Sequence, residues 1–130
     1  MSKSILVTGI NGFVGKHLAR ELVAHGIEVA GCGHETEVSP ELQDICSTYE
    51  SCDLADPLQV VRLSLDGIDA IINLAGLANV GVSRDNPEEY MRVNVGVHTT
   101  LCDELLARSL NPRIVSVVTG AIYSPDQPMP

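Results

Sequence analysis

Short runs of aliphatic and β-branched residues alternate along this chain with longer stretches in which apolar residues recur every three or four positions. The short runs predict buried strands, and the longer stretches predict helices that pack on one face. Strands are expected at residues 5–7, 27–32, 48–52, 70–74 and 113–119. Helices are expected at residues 13–25, 40–46, 56–65 and 86–108.

This alternation predicts an α/β fold of the Rossmann type, because strands that are linked by helices pair in parallel through right-handed crossovers. We expect a doubly wound parallel sheet of five strands in the order 3-2-1-4-5, with helices on both faces. No repeat or internal linker interrupts the pattern, so residues 1–130 are expected to form one domain.

Several helix ends carry local signals. Gly26 and Gly67 stand where the first and third helices are expected to stop. Asp56 precedes a proline, which predicts an N-cap at the start of the third helix. Glu89 stands three residues after Asn86, which predicts a capping box at the start of the longest helix.

Composition and charge narrow the function classes. The chain has one Phe, three Tyr and no Trp, so its core must be aliphatic, as suits strands that are buried on both faces. The net charge is −9 and the only lysines are Lys3 and Lys16, which argues against nucleic acid or an anionic membrane as a partner. A bound phosphate would therefore be held mainly by backbone N–H groups.

Cysteine spacing and hydropathy indicate the compartment. The four cysteines form no C-x-x-C pair, so we expect no metal site and free thiols in a reducing cytosol. No apolar run approaches the roughly 20 residues that cross a membrane, and the first residues do not resemble a signal peptide. A cytoplasmic protein is expected.

The segment 8–15, TGINGFVG, places three glycines directly between a strand and a helix. In such a turn the first glycine permits the tight bend, the second lets a pyrophosphate approach the backbone, and the third lets helix and strand pack closely. The positive end of the helix dipole then faces the phosphates. The residues expected to contact the cofactor here are Gly9, Asn11, Gly12, Phe13, Val14 and Gly15.

TGINGFVG is similar to the TGxxGFxG fingerprint of the extended short-chain dehydrogenase/reductase family, which includes NAD(P)-dependent sugar-nucleotide epimerases, dehydratases and reductases. Further segments resemble the family's motifs in the same order and cover nearly the whole chain. They are Asp53 and Leu54 after strand three, Asn73 to Gly76 after strand four, Asn94 in the long helix, and Val118 to Tyr123 after strand five.

The resemblance implies how these segments bind the cofactor. Asp53, followed by Leu54, is expected to meet the adenine amino group. The backbone of the segment Leu74, Ala75 and Gly76 is expected to pass a cofactor ribose, and Asn94 matches the asparagine of the family's long helix.

The end of strand two bears on the choice between NAD and NADP. An NAD enzyme normally has an acidic residue there, which accepts a hydrogen bond from the ribose 2′-hydroxyl. The matching residue is Gly33, followed by His34, which could donate to a 2′-phosphate, whereas Glu35 would repel one. The cofactor is therefore expected to be NAD or NADP, with a slight preference for NADP.

The resemblance also locates the chemistry. It implies that the hydroxyl of Thr119 helps to polarise a substrate oxygen, in partnership with a Y-x-x-x-K pair on the next helix. None of the three tyrosines has a lysine four positions later. We therefore interpret the chain as the N-terminal, cofactor-binding part of such an enzyme, inactive by itself, with a nucleotide sugar as the substrate of the full-length protein.

Two finer expectations and two alternatives remain. The segment from Leu74 to Pro87 looks most like GDP-mannose dehydratases and deoxymannose reductases. The family's subunits often pair through the long helix, so the stripe Val97, Leu101 and Leu105, or strand five as a sheet edge, is expected to form a homodimer. The alternatives are a non-catalytic NAD(P)-binding module and an interaction module that uses the exposed face of the long helix.

Overall fold

The computed structural model describes residues 2–119 and 123–127. Its elements alternate between strand and helix as the sequence predicts; the helix expected at residues 40–46 is a single 3-10 turn, and the helix at residues 80–85 is an addition. In chain order they are β1 (Ser4–Thr8), α1 (Phe13–Ala24), β2 (Glu28–Gly33), a 3-10 turn (Pro40–Leu42), β3 (Thr48–Ser51), α2 (Pro57–Val60), β4 (Ala70–Asn73), α3 (Val80–Asp85), α4 (Pro87–Ala107) and β5 (Arg113–Ser116).

The strands form one parallel sheet in the order β3-β2-β1-β4-β5, which confirms the predicted fold class and strand order. The central strand is β1, where Leu6 lies between Ala30 of β2 and Ile71 of β4. The chain reverses its direction of winding between β1 and β4. In an open α/β sheet the crevice at this switch point, beyond the carboxyl ends of the strands, is where ligands bind.

Each face of the sheet is covered by its own apolar cluster. Successive residues of a strand point to opposite faces, so Leu6 joins a cluster with Ile71 and α4, whereas Val7 joins a cluster with Val29 and α1. This double coverage explains why the strands read as unbroken apolar runs in the sequence.

The apolar stripe of α4 belongs to the first of these clusters. Val97, Leu101 and Leu105 are only 2%, 2% and 4% exposed, and they lie in the cluster that contains Leu6 and Ile71. The expectation that this stripe is uncovered and pairs two subunits is therefore wrong. The spacing identified the buried face of the helix correctly, but the sheet of the same chain covers it.

The helix α2 is shorter than expected. Asp56 caps it as predicted, since its carboxylate accepts from the N–H of Leu58 at 2.9 Å. The helix ends at Val60 rather than near Leu65. Leu63 and Leu65 are both buried in the cluster under α4, and two buried residues at this spacing suit an irregular chain lying on the core better than a helix.

The predicted capping box at Asn86 is wrong. The helix α3 was not predicted, and Asn86 both ends that helix and begins α4. Its N–H donates to the carbonyl of Val82 at 3.1 Å, so it is not available to Glu89. The side chain of Asn86 caps no N–H group of the described residues, and Glu89 pairs instead with Arg92.

The last strand, β5, ends at Ser116 rather than at Thr119 and forms one edge of the sheet. Apolar side chains here are left open to solvent, in contrast to those of the central strands. The exposed set is Ile114, Val115, Val117 and Val118. In residues 2–119 and 123–127, no helix is both long and apolar enough to cross a bilayer.

Candidate functional site

A cavity of about 440 Å³ opens at the carboxyl edge of the sheet, at the switch point between β1 and β4. Its walls come from the ends of several strands and from the first half of α4. Most of the predicted cofactor contacts line it, namely Gly9, Gly12, Gly33, His34, Asp53, Leu54, Leu74, Ala75 and Gly76. The structure therefore brings together residues that are up to 67 positions apart in the sequence.

The glycine turn lies directly against the end of β4. Gly9 has a φ of 63°, and a Cβ there would stand 2.9 Å from the carbonyl carbon of Leu74. A Cβ on Gly15 would stand 2.6 Å from the Cα of Ile10. Both distances are shorter than a real Cβ contact, so a side chain at Gly9 would force the turn away from the end of β4, and one at Gly15 would force α1 away from the turn. Gly15 thus serves packing and is not among the residues that line the cavity.

Gly12 begins α1 on the cavity side of the turn. Its N–H donates to the carbonyl of Gly9 at 3.0 Å, and a Cβ would meet that same carbonyl oxygen at 3.2 Å. No side chain of the described residues caps the first turn of α1. The first N–H groups of a helix have no partner within it, so those of Phe13 and Val14 are available to an anion. Their side chains are exposed and do not line the cavity.

Asn11 holds the neighbouring loop and does not face the cavity. Its side-chain oxygen accepts from the N–H of Ser39 at 2.8 Å, and its amide nitrogen donates to the carbonyl of Glu37 at 3.0 Å. The same nitrogen lies 3.4 Å from the hydroxyl of Tyr49 on β3. Asn11 therefore acts on the site through the loop that follows β2.

Asp53 and Leu54 lie beyond the end of β3, where they line the cavity as predicted. One carboxylate oxygen of Asp53 accepts from the N–H of Ala55 at 3.0 Å, and the other pairs with the guanidinium of Arg92 at 3.2 Å. Arg92 also forms two 2.8 Å hydrogen bonds with Glu89.

The charges at this end of the cavity stabilise one another. The hydrogen bond from Arg92 lowers the pKa of Glu89, and those to Glu89 and then to Asp53 raise the pKa of Arg92. Sequence reasoning missed Glu89 and Arg92 as cavity residues. Their spacing of three positions on a helix was the available signal.

Asn94 positions the loop after β4. Its side chain bonds both backbone groups of Leu77, accepting from the N–H at 2.7 Å and donating to the carbonyl at 3.0 Å. A Cβ on Gly76 would stand 3.0 Å from the Asn94 oxygen, so a glycine is needed for this close approach. Asn94 therefore holds one wall of the cavity from behind.

The predicted catalytic residue, Thr119, follows β5 at the carboxyl edge of the sheet. Thr119 is exposed beyond the end of β5 and does not line the cavity. Of the motif from Val118 to Tyr123 that carried the prediction, residues 120–122 lie outside the described residues.

The cysteines form neither a disulfide nor a metal-binding cluster among the described residues. In the described part of the chain Cys32, Cys46, Cys52 and Cys102 are all free thiols, as their spacing predicted. Cys52 lines the cavity beside Asp53. A hydrogen bond with Cys52, together with burial, raises the pKa of Cys32, so that thiol stays protonated.

Known proteins are similar to this chain in sequence and in fold. Residues 5–130 match the NAD dependent epimerase/dehydratase family. The UDP-glucose 4-epimerase of Erwinia amylovora is 33% identical over 135 residues, covering 98% of this chain and 40% of that protein. The chain thus spans about two fifths of the length of the curated relatives it matches.

Two solved structures superpose on nearly all of the chain. The UDP-glucose 4-epimerase of Bifidobacterium longum, in complex with NAD+ and UDP, matches with a TM-score of 0.80 and 26% identity over 93% of this chain and 38% of its own. That of Brucella ovis, in complex with NAD, has the same TM-score and identity over 99% of this chain and 39% of its own. The described arrangement is thus shared by proteins whose structures contain a dinucleotide.

Proposed function

Because the chain belongs to the NAD dependent epimerase/dehydratase family, we propose that it is the dinucleotide-binding part of an enzyme that transfers hydride at a carbon of a nucleotide sugar. The observation that carries this proposal is the contact between the glycine turn and β4. Gly9 lies so close to Leu74 that no side chain fits between them, and Gly12, at the uncapped start of α1, lines the cavity. Such a turn suits a pyrophosphate, which needs backbone N–H donors and no Cβ in its way.

Each part of the cavity suits one part of the cofactor. The pyrophosphate would lie over Gly12, Phe13 and Val14, and the N–H groups of Phe13 and Val14 would bind it. Asp53 and Leu54 would bind the adenine. The remaining predicted contacts, Leu74, Ala75 and Gly76 with Gly33 and His34, would line the two riboses. Asn11, Gly15 and Asn94 would act indirectly, by holding the loops and the turn in place.

The bound dinucleotide would supply the redox chemistry, and this chain's residues would bind and orient it. The hydroxyl of Thr119 would donate to the substrate oxygen and stabilise charge that develops there. The acid–base pair Y-x-x-x-K is not contained in these 130 residues. The proposed role of this chain is therefore cofactor binding, and turnover is a property proposed for a protein of the relatives' length.

For the substrate we propose a UDP-sugar. The comparisons do not confirm the resemblance to GDP-mannose dehydratases and deoxymannose reductases. The relatives described above are UDP-glucose 4-epimerases, and one of them is in complex with UDP. Family membership supports a nucleotide sugar, and the names of these relatives favour uracil as its base.

Self-association through β5 is the remaining part of the proposal. With the stripe of α4 buried, the described residues near this sheet edge still expose the apolar side chains of Ile114, Val115, Val117 and Val118. An exposed apolar edge strand pairs readily with another, and a second copy of the chain offers an identical one. Sedimentation should show a dimer that Val117→Lys converts to a monomer, and a monomeric wild-type chain would refute this part.

A second function, a non-catalytic NAD(P)-binding module, has one observation in its favour, which is the absence of Y-x-x-x-K from the sequence. Both functions require the same binding site. Supplying the chain with a separately expressed C-terminal part of a relative would discriminate them, because only an enzyme's binding part would regain turnover.

Calorimetric titration with NAD+ and with AMP tests the shared claim. We expect one site per chain and tighter binding of NAD+ than of AMP, because AMP lacks the pyrophosphate that the glycine turn is proposed to hold. Equal affinities would contradict the placement of the pyrophosphate, and binding of neither NAD+ nor NADP+ would contradict the function.

A further inference from the structure

The end of β2 lacks the side chain that an NAD-binding sheet normally presents there. The acidic residue that accepts from the ribose 2′-hydroxyl would stand at Gly33, which lines the cavity without a side chain of its own. The space above Gly33 is nevertheless filled. A Cβ built there would lie 2.7 Å from the Oε2 atom of Glu35 and 2.9 Å from the hydroxyl of Tyr49.

This oxygen lies about as far from the built Cβ as the carboxylate oxygens of an aspartate at position 33 would lie. Standard bond lengths place the carboxylate oxygens of an aspartate about 2.4 Å from its own Cβ. The Oε2 atom of Glu35, at 2.7 Å from the same point, lies at nearly that distance. Glu35 therefore folds back over the end of β2 and delivers a carboxylate from two residues further along the chain. It lines the cavity together with Gly33 and His34.

The loop that carries Glu35 is held on both sides. The hydroxyl of Tyr49, on the adjacent strand β3, donates to the backbone carbonyl of Glu35 at 2.7 Å. Asn11, in the glycine turn, binds the backbone of Glu37 and Ser39 in the same loop. These contacts tie the position of Glu35 to the turn that is proposed to hold the pyrophosphate. Burial and then the charge of Glu35 raise the pKa of Tyr49 to about 12, which agrees with the closeness of the two groups.

The other charges of the cavity do not favour a phosphate near Glu35. Asp53 and Glu89 are acidic, and Arg92 is already paired with both of them. His34 is 84% exposed on its side chain and lies 3.8 Å from Glu35, so any charge it carries is partly neutralised by that carboxylate.

We propose that Glu35 is the residue that selects the cofactor, accepting a hydrogen bond from the 2′-hydroxyl of the adenosine ribose and repelling a 2′-phosphate. The chain then binds NAD in preference to NADP, opposite to the slight preference expected from Gly33 and His34 in the sequence. This inference rests on the proposed function, because it assigns one residue of the same dinucleotide site. It adds a specificity determinant that lies two positions away from the usual one.

The test measures the affinities for NAD+ and NADP+ of the wild-type chain and of two variants. Each variant loses one negative charge. Glu35→Gln removes the carboxylate of the cavity. Glu28→Gln, at the other end of β2, is the matched control because Glu28 is exposed and far from the cavity. The wild-type chain should bind NAD+ more tightly than NADP+. Glu35→Gln should weaken NAD+ binding about ten- to a hundredfold, the range for losing a hydrogen bond to a charged group. It should also reduce the ratio by which the chain prefers NAD+ to NADP+. Glu28→Gln should change neither the affinity for NAD+ nor the preference for NAD+ over NADP+.

The outcomes separate the two claims. If the wild-type chain binds NAD+ and NADP+ equally, or if Glu35→Gln leaves their ratio unchanged, this inference fails and the proposed function stands. Binding of neither dinucleotide by the wild-type chain overturns both. A circular dichroism spectrum like that of the wild type shows that Glu35→Gln is folded, so its result bears on binding alone.

Discussion

The hydroxyl of Thr8 donates a hydrogen bond of 2.5 Å to the side-chain oxygen of Asn73, which joins the carboxyl ends of β1 and β4. Both residues are buried, at 0% and 2% exposure. The same hydroxyl oxygen accepts from the N–H groups of Leu74 and Ala75, at 3.2 and 3.3 Å. The segment proposed to pass the cofactor ribose is thus fixed from beneath by one threonine.

The amide of Asn73 extends this network to α4. Its nitrogen lies 3.1 Å from Nε2 of His98 and donates to it, while Nδ1 of His98 lies 3.1 Å from the carbonyl of Asn94. Asn94 in turn holds Leu77. The network joins both strands at the switch point to the helix that closes the cavity.

Thr8→Val should destabilise the fold. Valine keeps the shape but removes the hydroxyl, which leaves the buried oxygen of Asn73 without this donor. An unsatisfied buried polar group costs about 1–3 kcal/mol, and urea unfolding should show a loss of that size. Thr8→Ser keeps the hydroxyl and serves as the control. Equal stability of Thr8→Val and the wild type would mean that the bond contributes nothing.

Local sequence signals predicted the strands and the glycine turn well. The turn was predictable because Gly9 and Gly15 meet requirements set within a few residues, a positive φ and a close approach of helix to strand. The stripe of α4 shows the limit of such signals. The spacing of Val97, Leu101 and Leu105 defines the apolar face of a helix, but it does not say which surface covers that face.

Leu101→Glu should therefore unfold the chain rather than dissociate a dimer. Leu101 is 2% exposed in the core under α4, and replacing it removes apolar contacts and buries a charge. The expected loss is at least about 3 kcal/mol, a large part of the stability of a domain of this size. Leu106→Glu is the matched control, because Leu106 is 77% exposed on the same helix. A folded Leu101→Glu chain of altered sedimentation would contradict the buried placement.

The stability of the chain should fall at alkaline pH as Tyr49 ionises. Burial, and then the charge of Glu35, raises the pKa of Tyr49 from its ordinary 10 to about 12. The folded chain thus holds this proton more tightly than the unfolded chain does. The contribution to stability is complete below pH 10 and is lost as the pH rises through about 12.

Ultraviolet absorbance of tyrosinate measures this shift, and Tyr49→Phe identifies the signal. Glu35→Gln should move the pKa of Tyr49 back towards its ordinary value, whereas Glu28→Gln should leave it in place. A pKa that does not respond to Glu35→Gln would mean that the carboxylate does not lie over the end of β2.

The sequence placed Glu35 near the 2′ position of the cofactor but did not predict that its carboxylate lies over Gly33. Its position depends on how the loop folds back between Tyr49 on β3 and Asn11 in the glycine turn, contacts that join residues 14 and 38 positions apart. Asn86 was misjudged for a similar reason, since its N–H is used by a helix that the sequence did not reveal. Both cases depend on a neighbour in space that local patterns do not contain.

The 130-residue chain should show no turnover of nucleotide sugars. It contains no Y-x-x-x-K, and loss of a proton-transfer group alone typically lowers a rate about 10²–10⁴-fold. Conversion of UDP-glucose in the presence of NAD+ can be followed by chromatography of the products. Turnover that depends on the chain and disappears in Thr119→Val would show that the acid–base group is among these residues.

The most direct test of the central claim is an NMR titration of the nitrogen-15-labelled chain with NAD+. The account predicts saturable shifts that are largest at the amides of Gly12, Phe13 and Val14 and that extend to Asp53 and to Ala75. Gly12→Val, whose added side chain would occupy the proposed pyrophosphate space, should remain folded and lose these shifts. Saturable shifts confined to another part of the chain, or unchanged binding by Gly12→Val, would contradict the account.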